Sequence, residues 1–238
     1  MFRQGKPRAF IHNLRLASML SFVAGVVNIS GVLSIHTLTT NVTGHFAFFS
    51  EHFVQSSYQA AWDYISYIIA FLLGAFCCGF MVEFAIRKKS KISHASPMLL
   101  EIGILITVVF TNTLIPVEWL ARTLLFSMGL QNALVTKISQ ATVRTTHLTG
   151  LFTDLGIEIS QLFFYRDKAD TQKLSKSIYL RFAIIVFFFF GGVLGGFLYK
   201  EIKLYSLVLA AGTLLTALAY DNLRFRFHYY VRKFKSKP

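Results

Sequence analysis

Thr39-Thr40-Asn41-Val42-Thr43-Gly44 and Thr145-Thr146-His147-Leu148-Thr149-Gly150 are two forms of one hexad, 106 residues apart. Each follows an apolar run of helix length, and each opens a short amphipathic segment. A polar sextet repeated inside an apolar chain marks two copies of one unit, and the flanking residues extend the match. Upstream, Gly25-Val26-Val27-Asn28 parallels Gly129-Leu130-Gln131-Asn132 at an offset of 104; downstream, the glycine-rich stretch 74–80 parallels 191–197 at an offset of 117. The three matches keep their order. The chain therefore divides into repeat halves at about 14–115 and 118–220, with extra residues in the second half near 165–176.

Composition sets the solvent. The 238 residues are 54% hydrophobic and only 15% charged, and 25 of them are phenylalanine, whereas soluble domains carry roughly a quarter charged residues. Six apolar stretches, 16–35, 64–86, 98–115, 119–135, 178–199 and 204–220, approach the ~20 helical residues needed to cross the hydrocarbon. Backbone amides in lipid must pair within their own segment. The expectation is an all-α membrane protein, a single integral membrane domain with six transmembrane helices. Two further helices, 44–56 and 150–163, follow the hexads; they are too short and polar to span and read as broken or re-entrant. Three spans per half reverse the direction of the second half, which makes a 3+3 inverted repeat.

The net charge of +13 is distributed as a topology signal rather than as a nucleic-acid surface. Arg3, Lys6, Arg8 and Arg15 precede the first span, and Arg87, Lys88, Lys89 and Lys91 follow the second. Lys137, Arg144, Arg166, Lys168, Lys173, Lys176 and Arg181 lie between the fourth and fifth, and Arg224, Arg226, Arg232, Lys233, Lys235 and Lys237 follow the last. Only Arg122, Lys200 and Lys203 fall on the other side. Both termini are thus expected in the cytoplasm, with the basic loops and the tail 221–238 against anionic lipid. Segment 36–63 has no Lys or Arg, whereas Arg144 and Arg166 flank the second hexad. One hexad should approach from outside and the other from the cytoplasm. The basic N-terminus and its apolar run read as an uncleaved first span, and adjacent Cys77 and Cys78 as small packing residues.

The hexads supply the candidate site. Thr43 and Thr149 read as helix N-caps, and two inward-pointing N-termini favour an anionic or electron-rich ligand between them. Asn28 and Asn132 fall near mid-depth. The expected solute-binding set is Asn28, Thr39, Thr40, Thr43, Gly44, Asn132, Thr145, Thr146, Thr149 and Gly150. Asp154 joins it as a carboxylate suited to proton coupling, while Glu83 and Glu101, near the ends of their spans, read as interfacial. The glycines of 74–79 and 191–196 read as contact faces where equivalent helices of the two halves cross. The sequence carries no nucleophile motif, phosphate loop or metal-ligand set, so neither an enzyme nor a cofactor is expected. A transporter or channel for a small polar or anionic solute fits best; the alternative is a non-transporting membrane scaffold or sensor.

The run Thr145-Thr146-His147-Leu148-Thr149-Gly150-Leu151-Phe152-Thr153-Asp154-Leu155-Gly156, with Gly129-Leu-Gln-Asn132 before it and Asn41-Val42-Thr43-Gly44-His45 in the first half, resembles the YoaK-type family of bacterial inner-membrane proteins. The likeness covers about residues 14–220. It implies a multi-span bacterial inner-membrane protein; the family is a domain of unknown function, so it implies no substrate or site residue.

Overall fold

The computed structural model describes residues 10–88, 95–138, 146–164 and 167–220. Among them all regular structure is helical: α1 (Phe10–Ile35), α2 (Val42–Val54), α3 (Tyr58–Arg87), α4 (Ala95–Thr111), α5 (Val117–Ile138), α6 (Leu148–Gln161) and α7 (Lys168–Ile202). A 3-10 turn (Lys203–Ser206) leads into a last helix, α8, over 207–220. Three helical segments are long and apolar enough to cross a membrane: Leu14–Ile35, Tyr58–Arg87 and Ala169–Tyr220. Ala95–Thr111 is a shorter apolar helix. Although α4 and α8 fall slightly short of the expected 98–115 and 204–220, α1, α3, α5 and α7 outrun the expected spans because polar ends stay helical beyond the apolar core. The clearest case is α7, whose 35 residues extend ~52 Å at 1.5 Å each. It begins 23 residues before Gly191, whereas α3 begins 16 before Gly74, so the helix ahead of the crossing glycine is about two turns longer in α7.

The segment Ala169–Tyr220 has 52 residues, far too long for one crossing. Lys203 breaks it with a φ of 52°, and the chain reverses there. Ser206 Oγ lies 3.2 Å from Ser30 Oγ, while Tyr220 accepts a hydrogen bond from Arg15 near the start of α1. α8 therefore runs antiparallel to α1.

Two tight crossings organise the molecule, α1 with α7 and α3 with α5. Each is built from the same four-residue pattern, Phe-x-x-Gly, at 22–25, 71–74, 126–129 and 188–191. A Cβ on Gly25 would fall 2.1 Å from Phe188 O, and one on Gly191 would fall 2.2 Å from Phe22 O. At the other crossing, Gly74 would meet Phe126 O at 2.0 Å and Gly129 would meet Phe71 O at 2.0 Å. Each glycine thus lays its backbone on the carbonyl three residues before the partner's glycine, close enough for Cα–H···O contact. The pairing corrects one expectation: non-equivalent helices cross, α1 with α7 and α3 with α5, rather than α3 with α7.

Both pairs run parallel. Along α1 and α7, Gly25 faces Phe188 and Gly192, and Val26 and Ile29 face Gly195. Along α3 and α5, Asp63 pairs with Arg122 at 2.7 Å near the starts, and Glu83 pairs with Lys137 at 2.6 Å near the ends. α1 and α5 are the enclosed helices of the bundle: Leu20, Val23, Ala24, Val27, Leu124 and Met128 are all fully buried.

Candidate functional site

The first hexad is a return loop. α1 ends at Ile35, His36 turns the chain with a φ of 51°, and the Thr37 amide donates to Gly31 O at 3.4 Å. The chain then comes back down α1. Asn28 Oδ1 accepts from the Thr39 amide at 3.1 Å and from Thr40 Oγ1 at 3.0 Å, about 10 Å of helix rise below Ile35. Gly31 makes the notch for this return, since a Cβ there would lie 2.5 Å from Thr39 Cγ2. Thr39 is fully buried, and its hydroxyl has no partner. Asn28, Thr39 and Thr40 are thus brought together as expected, with the Asn28 carbonyl already engaged.

The caps are shifted from the sequence reading. Asn41, not Thr43, caps α2: its Oδ1 accepts from the Gly44 amide at 3.0 Å, and Thr43 is exposed in the first turn. His147 holds the matching position of α6, without a side-chain cap bond, and Thr149 is exposed. Asparagine outranks threonine as a cap because its short amide reaches the third amide of the helix without a β-branch. The glycines serve the caps: a Cβ on Gly44 would meet Asn41 Nδ2 at 3.0 Å, and one on Gly150 would meet His147 Cδ2 at 2.4 Å. Asn41→Ala is expected to cost about 1 kcal/mol, visible as a lower melting temperature, while Thr43→Ala leaves it unchanged; the reverse result returns the cap to Thr43.

The second hexad is only partly comparable. Thr145 lies outside the described residues; Thr146 is half-buried. Asn132 Oδ1 is buried without a partner, unlike its counterpart Asn28.

Each short helix leans on the next long helix through equivalent positions with different chemistry. Four and eight residues after Gly44, Phe48 packs at a tilt against Tyr64 and His52 stacks on it, with centroids 5.3 and 5.4 Å away. Asp154 and Glu158, four and eight after Gly150, pair with Arg181 at 2.8 and 2.9 Å. Tyr64 and Arg181 each lie ten residues before the crossing glycine of their helix. Asp154, with half its side chain exposed at 51%, is therefore a partner of Arg181 and not a free carboxylate in the apolar interior. His45 is buried beneath Tyr64 and Tyr67, 2.7 Å from Leu38 O through Nε2. Burial pushes its imidazole below the usual histidine range, against the pull of the Leu38 carbonyl.

The carboxylate that sequence reasoning missed is Glu101. It is fully buried in α4, and neither carboxylate oxygen has a partner, whereas the sequence reading made it interfacial. α4 begins only at Ala95, but its face Pro97, Met98, Ile102 and Leu105 packs inward, mainly against α5, and takes Glu101 with it. Glu83, in contrast, is exposed and tied to Lys137. Ser127 Oγ and Gln131 Oε1 on α5 are also buried without partners, although Gln131 Nε2 donates to Leu20 O at 2.7 Å. Among the described residues no three of His, Cys, Asp and Glu gather as a metal set would.

Residues 16–220 match the family described as a protein of unknown function, DUF1275. The chain belongs to the DUF1275 family. It is 26% identical over 210 residues to the UPF0700 transmembrane protein YoaK of Bacillus subtilis (strain 168), covering 85% of this chain and 92% of that protein. No solved structure matches. Like that relative, this DUF1275 protein is a membrane protein, and its apolar helices contact the bilayer.

Proposed function

We propose that this DUF1275 protein is a transporter of the bacterial inner membrane, not an enzyme, built from two inverted three-span repeats. Its solute is small and polar or anionic, and Glu101 carries the coupled proton. The observation behind this reading is the set of unpartnered buried polar atoms. Thr39, Glu101, Ser127, Gln131 and Asn132 each leave at least one such atom, and both halves contribute. Native interiors pair nearly all buried polar groups, so an orphaned set calls for a ligand, water or a proton. A carboxylate in a membrane interior without a counter-charge is a functional group by default. Thr39 and Thr40 from one half and Asn132 and Thr146 from the other are the solute-facing candidates, with Asn28 positioning Thr39 and Thr40 through its carbonyl; Thr43, Gly44, Thr149 and Gly150 shape the short helices, and Asp154 fixes α6 to α7.

The inverted arrangement is supported by the parallel crossings. If α1 leads outward and α3 inward, then α7 beside α1 leads outward and α5 beside α3 inward, so the second half mirrors the first. Both termini then lie in the cytoplasm, with basic loops at anionic lipid. Cysteines placed at exposed Thr43 and Thr149, in a chain carrying Cys77→Ala and Cys78→Ala, are expected to react with an impermeant maleimide from opposite faces of the membrane. Labelling from the same face rules out inversion.

The scaffold reading draws on the glycine-tight crossings, which resemble static joints. Flux separates the two. In proteoliposomes with an imposed pH gradient, a transporter shows solute-stimulated proton movement for at least one member of a panel of small organic and inorganic anions. A scaffold shows none for any.

A further inference from the structure

A groove of about 860 Å³ lies between α1, α6 and α7. Its size lies in the range of built ligand sites, roughly 300–1,000 Å³. Its walls are apolar: Leu33 of α1, Phe152 of α6 and Phe188, Val193 and Phe197 of α7. Phe152, Val193 and Phe197 are exposed, so on a membrane protein this groove opens sideways into acyl chains. Its length runs from Ile185 to Lys203, ~27 Å of helix rise, close to one hydrocarbon thickness.

Two details make it more than a gap between helices. The floor is hollowed by Gly192 and Gly196, which the crossing does not require. A Cβ on Gly192 would find only Gly25 O at 3.9 Å, and one on Gly196 only Ile29 Cγ1 at 3.4 Å, both ordinary contacts. Gly191, one position away, has no such freedom. The second detail is charge. Lys200 and Lys203 stand at one end of the groove, and among the described residues neither is ion-paired. Lys203 extends over the Tyr199 ring, 5.8 Å from its centroid. Glu201 lies between them in sequence but does not line the groove. Asn28 supplies the only amide of the lining, five residues below Leu33 and so ~7 Å beneath the lysine end.

We propose that this groove binds one anionic phospholipid. Its phosphate sits at Lys200 and Lys203, its ester region meets the Asn28 amide nitrogen, and its acyl chains lie on Gly192 and Gly196 between the phenylalanines. Two lysines at the mouth favour an acidic headgroup over a zwitterionic one, while an apolar floor open to the bilayer selects a membrane amphiphile over a soluble anion. The site holds whether or not the protein moves a solute.

The test is native mass spectrometry of the purified full chain with phosphatidylglycerol or phosphatidylcholine of identical acyl chains. The expected result is one retained phosphatidylglycerol per chain and at least a fivefold preference over phosphatidylcholine. Lys200→Gln with Lys203→Gln abolishes the preference, and the control pair Lys173→Gln with Lys176→Gln at the other end of α7 keeps it. Gly196→Leu, which fills the floor away from the backbone contacts, removes both lipids; a melting temperature at the wild-type value shows that the fold survives. Equal retention of the two lipids, a preference that persists without the two lysines, or a lipid-free dimer burying this face would each overturn the proposal.

Discussion

Gly74→Ala and Gly129→Ala each lower the melting temperature of the purified protein, and Gly129→Leu prevents it from accumulating as a monodisperse species. The added Cβ would stand 2.0 Å from a carbonyl oxygen of the facing helix in both cases, so the helices must separate by about an ångström to admit it. Such overpacking costs about 1–3 kcal/mol and sometimes more, or roughly 2–4 °C per kcal/mol in a chain of this size. Gly25→Ala and Gly191→Ala behave alike, because the α1/α7 crossing repeats the geometry. Gly79→Ala and Gly212→Ala are the internal controls: a Cβ at either position meets nothing within 4 Å. They should leave stability unchanged or raise it by up to about 1 kcal/mol, because alanine is the better helix former. If Gly129→Ala melts with Gly79→Ala, the crossings are looser than described and their matched geometry loses its meaning.

Glu101→Gln is expected to reduce solute-stimulated proton movement to background while leaving the melting temperature unchanged. Glutamine has nearly the shape of the neutral acid but cannot release a proton. Glu101→Leu goes further. A buried polar group with no partner is a standing cost of about 1–3 kcal/mol, and a hydrophobic side chain of similar volume relieves it, so this variant melts higher than wild type while being equally inactive. The two readouts moving in opposite directions distinguish a functional carboxyl from a structural one. A less stable Glu101→Leu chain, or a Glu101→Gln chain with full proton movement, eliminates the coupling role.

The hexads and the two short helices that follow them were legible in the sequence, because polar sextets and glycines stand out against an apolar background. The helix that each glycine faces was not. In lipid the inward and outward faces of a helix are equally apolar, so hydrophobic pattern cannot tell them apart. The Phe-x-x-Gly pattern was present four times, but phenylalanine is common here and nothing in its spacing signals that its carbonyl, rather than its ring, forms the joint. Asn41 was passed over for Thr43 by two residues, within the ordinary uncertainty of a helix start. Glu101 sits seven residues into α4, a position that suggests the interface when depth alone is considered. Its spacing of three and four from Met98 and Leu105 put it on one stripe with them, and a lone acid in an apolar helix was the available sign of which stripe faced inward. Asp154 drew attention through the repeat, yet Arg181, 27 residues on, was too distant in sequence to be recognised as its partner.

The two glycine joints close at different moments of synthesis. Gly74 and Gly129 are separated by 55 residues, so α3 and α5 can pair soon after the second is made, whereas Gly25 waits 166 residues for Gly191. Until α7 emerges, the bare flank of α1 is an unclaimed dimerisation surface inside the bilayer. A chain truncated before α7 is therefore expected to pair with its own kind through this flank, which cross-linking of the truncated product would show.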